Sequence, residues 1–268
     1  MNAYLLAVLI GIVEGITEFL PISSTGHLIL TESLLGLQGD AAERLLIVIQ
    51  GAAILAVCWE YRQRLWDTAL SLGQAKSQGF VLNLLIAFLP LAILGLLFEK
   101  KIKAVLFAPI PVAIALVVGG VLILWAEKRQ HVERIKSVDE MRWTDALKIG
   151  LFQAAALIPG TSRSAATILG GLLTGLSRRT AAEFSFFIAI PTLLAATAYK
   201  LWEARETMSM DEAQPLVLSS VVAFASALAS IRFLLRFVSN HSFAVFAWYR
   251  IVFGGLILLT WQMGWVQW

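Results

Sequence analysis

Charged residues are scarce in this sequence. Lys, Arg, Asp and Glu make up 15% of its 268 residues, against about 25% in a typical soluble domain, and no polar stretch is long enough to form a separate soluble domain. Cysteine occurs once, as Cys58 in an apolar run, which excludes an internal disulfide and suits a small packed hydrophobe. The opening "MNAYLLAVLIGIVEG" lacks the basic n-region and small-residue cleavage site of a secretory signal, so its apolar stretch is expected to stay in the mature protein. The net charge of +3 is small and its basic residues are scattered through short loops. That distribution argues for membrane topology and against a nucleic-acid partner.

What is abundant is apolar length. The chain is 59% hydrophobic with a mean hydropathy of +0.79, and runs able to cross roughly 30 Å of hydrocarbon recur along it. Six spanning helices are expected at residues 43–60, 80–98, 108–126, 182–201, 215–235 and 243–264. Two more segments, 3–36 and 145–176, are apolar but interrupted at "LPISSTG" and "LIPGTSRS". A proline at each interruption removes a backbone donor and restricts its predecessor, which favours a turn between two half-helices. Both segments therefore read as re-entrant helix hairpins, and irregular backbone at membrane depth is tolerated only where protein or a water-filled cavity surrounds it.

The two interrupted segments also resemble each other. "GIVEGITEFLPISSTGHLIL" from Gly11 aligns with "GLFQAAALIPGTSRSAATIL" from Gly150, and "AAERLLIVI" from Ala41 aligns with "AAEFSFFIA" from Ala181, at offsets of 139 and 140 residues. Each half, about 3–126 and 145–266, then holds one hairpin followed by three crossings. An odd number of crossings turns the second half upside down, giving an inverted-topology repeat within a single all-α, polytopic membrane domain spanning 1–268. In such folds the site lies near the midplane, where the broken helices meet.

Basic residues set the expected orientation. Arg62, Arg64, Lys76, Lys128, Arg129, Arg134, Lys136, Arg142, Lys148, Arg178, Arg179, Arg232 and Arg236 fall on one side, and Arg44, Lys100, Lys101, Lys103, Lys200 and Arg205 on the other. The richer side is expected to be cytoplasmic, with both termini outside and Trp261, Trp265 and Trp268 forming an outer aromatic belt.

Polar chemistry concentrates at the two interruptions. Glu14 and Glu18, four apart, share a helical face and suit either a hard divalent cation or a division of acid and base work. Ser23, Ser24 and Thr25 follow Pro21 and can cap the second half-helix, turning its free amides toward an anion. His27 lies one turn beyond Ser24, and it is expected to take that hydroxyl's proton. The second break offers Gly160 for close backbone approach, Thr161, Ser162 and Ser164 as hydroxyl donors, and Arg163 as a planar fork for phosphate oxygens or as an ion-pair partner of Glu18. Arg250, inside the last span, reads as a weaker candidate that snorkels to the interface.

With "EGITEFLPISSTGHL" and "PGTSRSAAT" the chain resembles the bacitracin-resistance type of undecaprenyl-diphosphatase, and the likeness covers nearly its whole length. The resemblance implies a multi-pass enzyme of the bacterial cytoplasmic membrane. It would remove the terminal phosphate of undecaprenyl diphosphate with a divalent cation, Mg²⁺ or Ca²⁺, recycling the lipid carrier of cell-wall synthesis at a site reached from the outer face. Glu14 and Glu18 fall on the family's acidic motif, Ser24 and His27 on its hydroxyl-histidine segment, and Ser162, Arg163 and Thr167 on its arginine motif. Ala165 stands where relatives commonly carry glycine. The architecture alone also suits a secondary transporter or a flippase for an anionic lipid. A transporter needs no nucleophile, so Ser24 beside His27 and Glu18 favours hydrolysis. A homo-oligomer is compatible with either reading.

Overall fold

A computed structural model describes residues 3–35, 40–129, 133–205 and 213–265. Helices α1 (Ala3–Thr17) and α2 (Ser24–Leu35) form the first hairpin, followed by α3 (Asp40–Glu60), a short α4 (Arg62–Leu70), α5 (Ala75–Leu106) and α6 (Pro109–Lys128). The second half begins with α7 (Trp143–Ala154) and α8 (Arg163–Thr174), followed by α9 (Arg178–Ala204), α10 (Ala213–Val238) and α11 (Ala244–Gln262). All six expected spans are helical.

Five of the six, α5, α6, α9, α10 and α11, contain stretches long and apolar enough to cross a bilayer. The sixth, α3, has 21 residues, roughly 31 Å at 1.5 Å per residue, and its apolar run begins at Leu45. Its first turns carry Asp40, Glu43 and Arg44. Helix α4 was not expected. With Arg62, Arg64 and Asp67 in nine residues it is too polar for a span, and its exposed Trp66 and Leu70 suit the headgroup level. Trp268 and His131 lie outside the described residues, as do the side chains of Arg44, Lys100 and Lys103.

Helix directions place the two hairpins upside down relative to each other. α1 runs parallel to α10: Tyr4 Oη donates to Gln214 Oε1 (2.7 Å) near their starts, and Ser230 Oγ donates to Ile16 O (3.0 Å) further along. α7 runs parallel to α5, with Asn83 Nδ2 donating to Met141 O (3.0 Å) and Gln153 Nε2 to Ala87 O (3.1 Å). α10 ends where α3 ends, since Arg232 Nε donates to Glu60 Oε2 (2.8 Å). α5 starts from that same face, where Arg64 of α4 and Lys76 of α5 both bind Asp139. Since α10 runs toward the face that α5 leaves, α1 and α7 enter from opposite faces.

The packing repeats the same symmetry. α1 against α10 corresponds to α7 against α5, and α3 against α10 to α9 against α5, while α3 meets α9 and α6 meets α11 across the axis. Lipid tails are as apolar as these helices, so association depends on close approach and interhelical hydrogen bonds. Glycine permits the approach at matched positions: a Cβ on Gly11 would lie 2.6 Å from Ser219 O, and one on Gly150 would lie 2.6 Å from Ala87 O. Between the hairpins Phe19, Phe184, Phe186 and Phe187 are buried, with Phe19 edge-on to Phe186 at 5.7 Å.

The expected basic side is held together by ion pairs. Arg134 meets Asp145 (2.7 Å) and Arg178 meets Glu127 (2.6 Å), alongside the Asp139 and Glu60 contacts. Grouping these residues on one face was legible from the loops.

Candidate functional site

Each hairpin turns through a serine in a rare conformation. Ser23 has φ 73° and Ser162 φ 71°, the only non-glycine residues with positive φ among the described residues. They stand at equivalent positions of the two aligned segments. Such backbone costs about 1–3 kcal/mol and persists only where surrounding contacts enforce it. Both serines cap the half-helix that follows: Gly26 N donates to Ser23 Oγ (3.4 Å) and Ala165 N to Ser162 Oγ (3.2 Å). Gly160 lets the second turn lie against α6, because a Cβ there would sit 2.4 Å from Val112 O and its φ is 92°.

The residue after each cap reaches the same carboxylate. Ser24 Oγ donates to Glu18 Oε2 (2.6 Å), while Arg163 Nε and Nη2 both donate to Glu18 Oε1 (3.3 Å each). Thus one carboxylate of the first hairpin joins a hydroxyl from its own hairpin to a guanidinium from the other. All three are buried, Arg163 at 9% exposure, Ser24 at 8% and Glu18 at 6%. Arg163 Nη1 also donates to Ser185 O on α9 (2.9 Å), and Thr167 Oγ1 lies 2.7 Å from Ser185 Oγ. Ser164 Oγ donates to Phe19 O (2.8 Å), locking the two turns together. The breaks are therefore in direct contact at this point.

Glu14 completes the acidic pair. The Glu18 amide donates to Glu14 O (2.9 Å), so the helical turn continues past Thr17 and both carboxylates share one face. Glu14 is fully buried, and neither side-chain oxygen has a hydrogen-bond partner among the described residues. A buried carboxylate without a partner is strongly disfavoured unless a cation or proton accompanies it. Among the described residues no third acidic, histidine or cysteine side chain joins the pair into a ligand cluster. Two hard oxygen ligands still match the carboxylates by which Mg²⁺ is commonly held, its other ligands being phosphate and water.

His27 is engaged differently from expectation. Its Nδ1 lies 2.7 Å from Ser23 O and its Nε2 lies 2.6 Å from Tyr249 Oη. A carbonyl accepts only, so Nδ1 carries the proton and Nε2 accepts from the tyrosine. The ring stacks on Phe253 at 4.1 Å. One helical turn places His27 above Ser23, whose carbonyl takes the ring, while the Ser24 hydroxyl turns away to Glu18. The expected Ser24 to His27 proton path is thus absent from this arrangement.

Arg250 also departs from expectation. Instead of snorkelling it is fully buried, and its guanidinium donates to Pro21 O (3.3 Å), Gly160 O (3.1 Å), Thr161 O (2.9 Å) and Leu116 O (3.3 Å). Pro21 and Gly160 are equivalent residues of the two breaks, so Arg250 clamps both turns from the symmetry axis. Every acceptor named is a carbonyl. Those of Pro21, Gly160 and Thr161 are freed where the helices break, and a guanidinium can satisfy such carbonyls in lipid, which accounts for burial in place of snorkelling.

Glu14, Glu18, Ser23, Ser24, Arg163, Ser164 and Thr167 are thereby gathered around the junction, with Gly160, Thr161 and Ser162 forming its second turn. Thr25 is half-buried beside them. Ser162 and Ser164 use their hydroxyls on the protein itself, as a cap and as a tie between hairpins, where substrate donors were expected. Ser185 and Tyr249 were missed. Ser185 is the one hydroxyl in "AAEFSFFIA", a run already singled out by its repeat, whereas nothing local distinguishes Tyr249.

The bacitracin resistance protein BacA family matches residues 7–256. An undecaprenyl-diphosphatase of Nitrosomonas eutropha is 59% identical over 98% of this chain and 96% of its own length. Proteins of the same name from Aromatoleum aromaticum and Pseudomonas putida are 56% and 52% identical, over 99% and 98% of this chain and 97% and 95% of their own.

Proposed function

As the chain belongs to the bacitracin resistance protein BacA family, we propose that it acts as its relatives are named, an undecaprenyl-diphosphatase that cleaves the terminal phosphate from undecaprenyl diphosphate at the junction of its two hairpins. The observation that carries this reading is the convergence of Ser24 and Arg163 on Glu18, at 2.6 and 3.3 Å. It joins a nucleophile, a proton acceptor and an anion-binding fork in one buried cluster, which a transporter would not need.

Ser24 Oγ attacks the terminal phosphorus and passes its proton to Glu18 Oε2. The bond from phosphorus to the bridging oxygen breaks, and undecaprenyl phosphate leaves with that oxygen. Water then cleaves the phosphoserine, returning the hydroxyl and releasing inorganic phosphate. Arg163 offsets the charge that grows on the non-bridging oxygens. The free amides at the starts of α2 and α8 favour the same anion. Histidine attack is the weaker alternative because both His27 nitrogens are engaged, and Nε2 would have to leave Tyr249.

Glu14 and Glu18 are the residues that would hold a divalent cation, Mg²⁺ or Ca²⁺. When bound, such an ion supplies Lewis acidity toward phosphate oxygens and neutralises the Glu14 carboxylate. The bacterial cytoplasmic membrane is the proposed location, with the basic face toward the cytoplasm, both termini outside and substrate arriving from the outer face. The test is phosphate release from a polyprenyl diphosphate by purified protein in detergent. Release is expected, together with loss after EDTA and recovery with Mg²⁺ or Ca²⁺. No release would return the chain to transport, and full activity after exhaustive chelation would remove the cation and leave the two carboxylates as acid and base.

A further inference from the structure

Two connected hollows lie at the end of α10, away from the hairpin junction. One, of about 610 Å³, is lined by Ala229, Arg232, Phe233, Arg236, Phe237 and His241. The other, of about 230 Å³, shares Arg232 and Arg236 and reaches Glu60 and Arg179. We propose that this groove binds one anionic diacyl glycerophospholipid, its phosphate at Arg232 and Arg236 and its acyl chains along the aromatic wall.

Charge points to the headgroup. Of the three arginines, Arg179 pairs with Glu183 (3.0 Å) and Arg232 with Glu60 (2.8 Å). Arg236, exposed and one helical turn from Arg232, has no ion pair among the described residues. Arginine near a helix C-terminus is favourable by itself, but that leaves the aromatic groove beside it unexplained. A basic pocket between membrane helices suits an acidic lipid headgroup.

The wall is apolar and continuous. Phe233 stacks on Phe237 at 5.7 Å, and Phe237 on His241 at 4.6 Å. From Arg236 to Ala229 the groove runs roughly 10 Å along α10 into the hydrocarbon, and Phe233 and Ala229 are exposed there. The opposite face of α10 is sealed, with Ala227, Ile231 and Leu234 at 0% exposure. Sealed from the hairpin junction, the groove serves a lipid of the surrounding leaflet better than a polyprenyl substrate in transit.

Native mass spectrometry of the purified chain in detergent tests this, with dioleoyl-phosphatidylglycerol, dioleoyl-phosphatidylcholine and undecaprenyl phosphate titrated separately and in competition. One phosphatidylglycerol adduct should form at least tenfold more tightly than phosphatidylcholine. Its preference should fall on the order of tenfold in Arg232→Gln/Arg236→Gln and persist in Lys136→Gln, on the same face but outside the groove. Should the double variant misfold through loss of Glu60's partner, Arg236→Gln alone carries the test. Equal binding of the two phospholipids, unchanged preference in Arg236→Gln, or displacement of phosphatidylglycerol by equimolar undecaprenyl phosphate would overturn the proposal.

Discussion

The two hairpins share a backbone and differ in charge. Both turn through a serine near φ 72°, both cap the next half-helix with that serine, and both offer a carbonyl to Arg250. At the position of Glu14, however, the second hairpin carries Gln153, whose amide donates to Ala87 O (3.1 Å) and whose oxygen accepts from Thr192 (3.4 Å). Glu14 has no hydrogen-bond partner among the described residues. Where the first hairpin puts Ser24 the second puts Arg163, and where the first puts His27 the second puts Ala166. One copy keeps its buried polar groups satisfied and contributes a cation; the other buries a carboxylate that no hydrogen bond among the described residues satisfies. Matching geometry with opposite charge lets the hairpins meet directly, with Arg163 of one on Glu18 of the other.

The largest test of that contrast makes the first hairpin like the second. Glu14→Gln should lower kcat on the order of a thousandfold, while raising thermal stability by about 1–3 kcal/mol because a buried carboxylate without a partner is removed. Phosphate release and melting in the same detergent measure both. Retained activity with lower stability would make Glu14 a structural residue.

Arg163→Lys comes next. A single ammonium cannot reach Glu18 and the Ser185 carbonyl together, nor two phosphate oxygens, so kcat/KM should fall by tens to hundreds, about 2–3 kcal/mol, with the fold intact. A loss below about threefold would mean that only the positive charge of the second hairpin matters.

Tyr249→Phe tests the polar addition that Ala166 lacks. It keeps the stacking and removes one hydrogen bond to His27, which at about 1 kcal/mol predicts roughly a fivefold fall in kcat/KM. An unchanged value would assign His27 to packing against Phe253.

The smallest effect concerns how the second hairpin is anchored. Asp139, just ahead of α7, is raised by partial burial but held below its ordinary pKa overall by hydrogen bonds and charge from Arg64 and Lys76. A depressed carboxylate stabilises the fold above its unfolded pKa of about 4, and this contribution disappears as pH falls through the folded value. Melting temperatures should therefore drop more steeply below about pH 4 in the parent than in Asp139→Asn. Parallel curves would show that the Asp139 contacts are too screened to anchor the loop.

Much of this arrangement was legible along the chain. Apolar run length determined the six crossings, because crossing hydrocarbon demands continuous satisfied backbone, and the prolines with their hydroxyl clusters marked both breaks. The aligned segments and odd number of crossings determined the inversion. Helical periodicity put Glu14 and Glu18 on one face. The pairing of side chains across the junction was decided elsewhere. Ser24 turns to Glu18 instead of His27, Tyr249 reaches His27 from α11, 222 positions away, and Arg250 lies inside because two broken helices present it with carbonyls. Local sequence governs backbone conformation through sterics and hydrogen bonding within a turn or two. A hydroxyl or a guanidinium, by contrast, takes whichever acceptor the packed helices bring within about 3 Å, and that choice exists only once the two halves have met.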